Sequence, residues 1–350
     1  MKRFNKNHVL RTSLLLLISC TTIFSFSRFT NFSSTITIND ILVDGSIVYA
    51  ATTGGLFIFD KSTGEGEFVK DIRKFPDLEL SSLCKDRKNS LWIGSNRGYL
   101  TKIAEDGDFE VYSSYITAGW KINDLYCHDS YLIVGSNRGC SIFNPEKKPR
   151  PEAFKNAEKI GNFESPVVNV VAVFNDILYL GCESGFAALD SGETIEKSNF
   201  YDQSIWKTRK TDKPVIDWLV HNNSLQAMNT IATSFQDNLT HASGKKVYIN
   251  NVEALELPSD IISLASNGDQ YCWIGTRENY FYRWDGKEQL DQYEIRGLTF
   301  KYINHLHVDR KGKLWLMPAF NKPINWHERI IRYNGETWEL MDHKARLGSP

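Results

Sequence analysis

No CxxC pair and no cysteine–histidine cluster of zinc-ligand spacing occurs in the 350 residues, so the common structural metal sites are not written into this chain. A GxSxG nucleophile elbow, a phosphate-cradling glycine loop and an EF-hand loop are also missing, which leaves no motif-level case for catalysis or for a cofactor. Excess charge is absent too. There are 41 basic and 42 acidic residues, a net charge of −1 that becomes about −5 once Lys2, Arg3, Lys6 and Arg11 are set aside. A nucleic-acid partner needs a basic footprint to neutralise phosphates, and none is present. Beyond residue 30 there is no apolar run long enough to cross a bilayer as a helix.

What is present begins with a leader. Lys2, Arg3, Lys6 and Arg11 precede an apolar run over residues 14–18, the layout of an export signal. Two processing readings compete. Leu17-Ile18-Ser19-Cys20 resembles a lipobox, which would lipidate Cys20 and supply the only membrane contact; Ser25-Phe26-Ser27 has the small residues of ordinary cleavage. An uncleaved anchor is the third reading. Residues 1–30 are therefore expected to lie outside the fold, which should occupy 31–343 and leave 344–350 as a tail. The other cysteines, Cys84, Cys127, Cys140, Cys182 and Cys272, fall in or beside apolar strand-like runs. They read as small buried sheet residues, with one disulfide allowed. Aromatic content is 13%, which suits pleated, half-buried surfaces.

A repeat decides the fold. Leu91-Trp92-Ile93-Gly94-Ser95-Asn96-Arg97-Gly98 returns as Leu132-Ile133-Val134-Gly135-Ser136-Asn137-Arg138-Gly139, then at Leu178–Gly185 and Cys272–Asn279. A weaker first copy surrounds Tyr49 and a last one begins at Leu314. The residue in the Trp92 place falls at 49, 92, 133, 179, 273 and 315, steps of 43, 41, 46, 94 and 42. The double step implies a degenerate copy near Gln226, hence seven units. In the second unit the pattern predicts strands over 80–85, 91–94, 99–103 and 109–113. A period of 40–50 residues with four strands each predicts a seven-bladed β-propeller, because blades set side by side around an axis bury both faces of every sheet.

These segments resemble the two-component-regulator propeller repeat, whose core runs aromatic-Ile-Gly-Thr, turn, Gly, apolar strand. Residues 91–103 and 272–284 match best, and the likeness extends loosely over 36–342. The resemblance implies an extracytoplasmic sensor-type propeller, which in that family is joined to a membrane helix and a histidine kinase. Only twelve residues follow Trp338, without a second apolar span, so a propeller of the cell envelope is expected rather than a chain that signals by itself. The chain is more distantly similar to streptogramin-lyase-type propellers, which are enzymes.

Function in such a fold resides in loops on one rim. The rim residues expected to bind are Arg97, Trp120, Arg138, Glu183, Tyr201, Trp206 and Arg277, with the longest insertion over residues 200–207. A second set, Asn39, Asn123, Asn169 and Asn304, recurs at the start of the innermost strands and could ring the channel mouth; the competing reading has each amide satisfying its own turn. His305 and His307 share a strand face, but no third ligand accompanies them. The leading expectation is a non-catalytic propeller, binding an unknown protein or a small-molecule or carbohydrate ligand. The alternatives are a lyase or hydrolase, with His305 and Glu183 as nominal acid/base groups, and a structural scaffold.

Overall fold

The computed structural model describes residues 37–341 apart from 72, 113–118, 148–153, 222, 267–269, 279, 296–302, 312, 319–329 and 334–337. The leader with Cys20 and the tail 344–350 lie outside the described residues. Sheets 1 to 7 are four-stranded and occupy residues 38–69, 80–112, 122–157, 168–210, 231–256, 261–294 and 303–341; a two-stranded hairpin over 217–228 separates sheets 4 and 5. Every pairing is antiparallel between chain neighbours, so each sheet is a meander. The second unit forms strands Leu80–Lys85, Leu91–Ser95, Leu100–Ile103 and Phe109–Tyr112, within a residue of the sequence pattern.

The fold is an all-β propeller. First strands touch first strands in succession from sheet 1 through sheet 4, the hairpin and sheets 5 and 6. Sheet 6 then closes directly on sheet 1. First strands are therefore innermost, and the outer strands form the circumference. Two expectations are corrected here. The double step between 179 and 273 was assigned one four-stranded unit, yet it holds a hairpin and a complete sheet. Sheet 7 was expected to close the ring, yet sheets 6 and 1 already meet without it.

The repeat motif explains the packing. Trp92 and Trp273 are fully buried, each on the second strand of its sheet. Phe59 of sheet 1 lies 5.9 Å from Trp273, 5.4 Å from Phe281 and 4.7 Å from Tyr293 of sheet 6, so an aromatic stack seals that seam. Trp92 is fixed from its own turn, because its indole N–H donates to Asp86 at 2.8 Å; Trp315 repeats the bond to Asp309 at 2.9 Å. The glycine after the Trp-Ile pair serves close approach. A Cβ on Gly94 would stand 2.6 Å from Ile122 of the next sheet, and one on Gly275 would stand 2.7 Å from Ile38. Any larger residue there would push two blades apart.

Cys84 and Cys127 lie on the first strands of sheets 2 and 3, 43 residues apart, and form a disulfide with Cα atoms at 5.9 Å. The bond staples neighbouring blades. Cys140, Cys182 and Cys272 are buried free thiols, and burial pushes all three up, Cys182 and Cys272 to about 12. They are inert core residues at neutral pH.

Candidate functional site at the axial mouth

Where first strands begin, sheets 1, 3 and 4 are each latched to the following unit by an asparagine. The Asn39 amide donates to the Leu80 carbonyl at 2.6 Å, Asn123 to Val168 at 2.9 Å and Asn169 to Val215 at 3.2 Å. The amides do not satisfy their own turns; each of the three bridges to the following unit. Asn304 starts the first strand of sheet 7, which is not one of the neighbours through which the ring closes, and its side chain lies outside the described residues, as does that of His305.

The next residue, expected with the asparagines to ring the channel mouth, makes a second latch instead. Asp40 accepts from its own neighbour Ile41 N–H at 2.8 Å and from Leu83 N–H of sheet 2 at 2.7 Å. Asp124 accepts from Leu125 and Val171 N–H at 2.8 and 2.7 Å and from the Ser82 hydroxyl at 3.2 Å. Asp217 does the same with Trp218 and Ala232, both at 2.7 Å. Burial pushes Asp40 up to about 7, helped by repulsion from Asp124 and Asp217; burial lifts Asp124 to about 6 and Asp217 to about 7. The signal was available as Asn-Asp at 39–40 and 123–124. Asp217 was hidden because Ile216 replaces the asparagine.

Beside these latches opens a cavity of about 560 Å³, lined by Asn39, Asn96, Lys121, Asn123 and Arg277 together with Thr37, Thr53, Glu79, Ser81, Ile122 and Ile262. Its floor comes from first-strand starts and its wall from turns between second and third strands. Asn96 is held by its backbone to Glu79 at 2.9 Å, Lys121 is clasped in the Asn137 turn, and Arg277 pairs with Asp260 at 3.7 Å. The Ser81 hydroxyl is buried there without a hydrogen-bond partner. Amides, hydroxyls and three charged groups around an open mouth can hydrogen-bond a polar molecule. Among the described residues no group of three or more His, Cys, Asp or Glu side chains is arranged to hold a metal.

The structure thus gathers three of the expected residues, Asn39, Asn123 and Arg277, around one cavity. Arg97, Trp120, Arg138 and Glu183 are not in its lining; Arg97, Arg138 and Glu183 are exposed, and Glu183 accepts from Ser165 at 2.7 Å. Tyr201 is 72% exposed but belongs to the connection leading to the outermost strand of sheet 4. Trp206 corrects an expectation outright. It opens that outer strand, is 5% exposed, and packs edge-on against Phe200 at 5.6 Å. The insertion over 200–207 is the passage to an outer strand, so Phe200 and Trp206 turn inward while Tyr201 faces solvent.

The geometry defines a β-propeller with a polar axial mouth. Solved structures of similar fold include PorZ, a bacterial surface component of the type-IX secretion system of Porphyromonas gingivalis, with 13% identity over 90% of this chain and 46% of that one and a TM-score of 0.65. The extracellular domain of the hybrid two-component system BT4673 of B. thetaiotaomicron aligns at 11% identity over 85% of this chain and 45% of that one, with a TM-score of 0.43. The WD40 propeller of Doa1 aligns at 14% identity over 73% of this chain and 97% of that one, with a TM-score of 0.49. The chain spans about half the length of the first two, and at such identities the likeness concerns the fold alone. No family model matches the chain, and no curated protein matches it.

Proposed function

We propose that this chain is a non-catalytic binding propeller of the bacterial cell envelope, which holds a polar ligand at the axial mouth. The observation that carries the reading is the cavity of about 560 Å³ in which Asn96, Lys121 and Arg277 project from turns above the latched Asn39 and Asn123. Turn residues on a rigid ring are where a propeller varies its chemistry. The buried carboxylates argue for scaffold rather than catalysis, because Asp40, Asp124 and Asp217 are each engaged by two backbone N–H groups and none lines the cavity. Export is supported by the leader and by the Cys84–Cys127 bridge, since disulfides persist in oxidising compartments. Lipidation at Cys20 is part of the same proposal.

The test is a titration of soluble protein, residues 31–350, against a panel of neutral and acidic oligosaccharides. A bound member should lose about tenfold or more in affinity in Arg277→Ala and in Asn96→Ala, with unchanged thermal unfolding. Cleavage of a bound sugar would instead favour the lyase or hydrolase alternative. Affinity indifferent to both substitutions would remove the mouth from consideration.

A further inference from the structure

The hairpin over residues 217–228 takes a place in the ring with only half of a blade. Asp217–His221 and Ser224–Met228 pair with one another, and sheet 5 begins its own innermost strand at Ile231. In the four-stranded sheets a third strand pairs with the second along its outer edge. Here, among the described residues, Ser224–Met228 has a strand neighbour on one side only. Only two residues separate His221 from Ser224, so the narrow pairs of the ladder are His221 with Ser224, Leu219 with Gln226 and Asp217 with Met228. The alternation turns the backbone N–H and C=O groups of Leu225 and Ala227 outward, toward the place of the missing strand.

The missing half-blade also leaves a cleft of about 610 Å³ between the hairpin and sheet 4. Its apolar wall is Phe174, Tyr179, Phe186 and Trp218, and its rim carries Arg209 and Lys210, both exposed. Tyr179 and Phe186 each stand 5.6 Å from the Trp218 ring, edge to face. The Trp218 indole N–H is buried without a hydrogen-bond partner. No acidic side chain belongs to the lining. A strand edge, an aromatic trough, an unanswered indole donor and two cations therefore share one cleft.

We infer that this notch is a second binding site, separate from the axial mouth, which takes an extended acidic segment of a partner polypeptide as the hairpin's third strand. Backbone pairing with Leu225 and Ala227 supplies the docking register, alternate apolar side chains enter the aromatic trough, and carboxylates meet Arg209 and Lys210. A basic or helical segment fits neither the charge nor the edge.

The experiment uses a short synthetic peptide alternating glutamate with valine and phenylalanine, capped at both ends, and a control peptide with lysine in place of glutamate. Binding is followed by fluorescence anisotropy, and amide hydrogen exchange of the protein by mass spectrometry. The acidic peptide should bind, slow exchange within 224–228, and weaken as salt rises, whereas the lysine peptide should not bind. Ala227→Pro, which removes one outward N–H without touching the pairing to Asp217–His221, should weaken binding about five- to tenfold, as loss of one backbone hydrogen bond implies. Arg209→Glu with Lys210→Glu, on exposed positions that leave folding intact, should abolish it and so decides the matter if the proline variant misfolds. Binding without protection in 224–228, equal binding of both peptides, or self-association of the free protein through this strand would each overturn the proposal.

Discussion

Two seams of the same ring stand in contrast. Where sheet 6 meets sheet 1, Trp273 is fully buried beneath Phe59, Phe281 and Tyr293, and four strands face four. Where sheet 4 meets the hairpin, Trp218 occupies a comparable seam, yet it and its partners Tyr179 and Phe186 stay half-buried, because among the described residues the hairpin has no third or fourth strand. Both seams keep their innermost strand contacts, and at the open one the Asn169 amide also reaches the Val215 carbonyl at 3.2 Å. The lesson is that the axis and the circumference of a blade do separate work. First strands close the ring, and third and fourth strands decide whether an aromatic face is core or surface.

The largest effects should fall on the closed seam. Trp273→Ala removes a fully buried indole and should cost about 3–5 kcal/mol in urea unfolding, and Trp206→Ala, buried at the start of the outer strand of sheet 4, about as much. Trp218→Ala at the open seam should cost about 1–2 kcal/mol, since part of its surface already meets solvent. Equal losses at Trp273 and Trp218 would break the comparison. Replacing Cys84 and Cys127 by serine should cost about 2–4 kcal/mol by loosening the unfolded chain, a loss reproduced in wild-type protein by reductant.

Gly94→Val forces two blades apart at Ile122 and should cost about 1–3 kcal/mol without loss of the fold. The pH dependence probes the latches. Asp40, Asp124 and Asp217 have folded values raised above the usual carboxylate value, so the folded state holds protons that the unfolded chain releases. Their contribution is fully favourable below about pH 4, declines as pH rises, and levels off above about pH 7. Asp40→Asn should flatten that decline in unfolding measured across the same range. The smallest effect belongs to Tyr201→Ala on the exposed connection, within about 0.5 kcal/mol.

Much of this was legible in the residues. The period near 43, the aromatic-Ile-Gly core and the turn glycines specified four-stranded meanders and located those of the second unit to within a residue. The Asn39, Asn123 and Asn169 positions were visible, though not what they do, because a hydrogen bond to the following blade has no trace in the local sequence. Trp206 was misread for a related reason: a polar stretch with aromatics looks the same whether the ring faces solvent or folds beneath Phe200.

The sequence by itself determined the unit, since alternating apolar residues, tight turns and a glycine thin enough for a neighbouring blade are local properties. Only the tertiary structure decided which units share the ring, that one of them stops after two strands, and that sheet 6 rather than sheet 7 meets sheet 1. Those outcomes depend on which apolar faces find each other, a competition among distant surfaces that no window of forty residues contains.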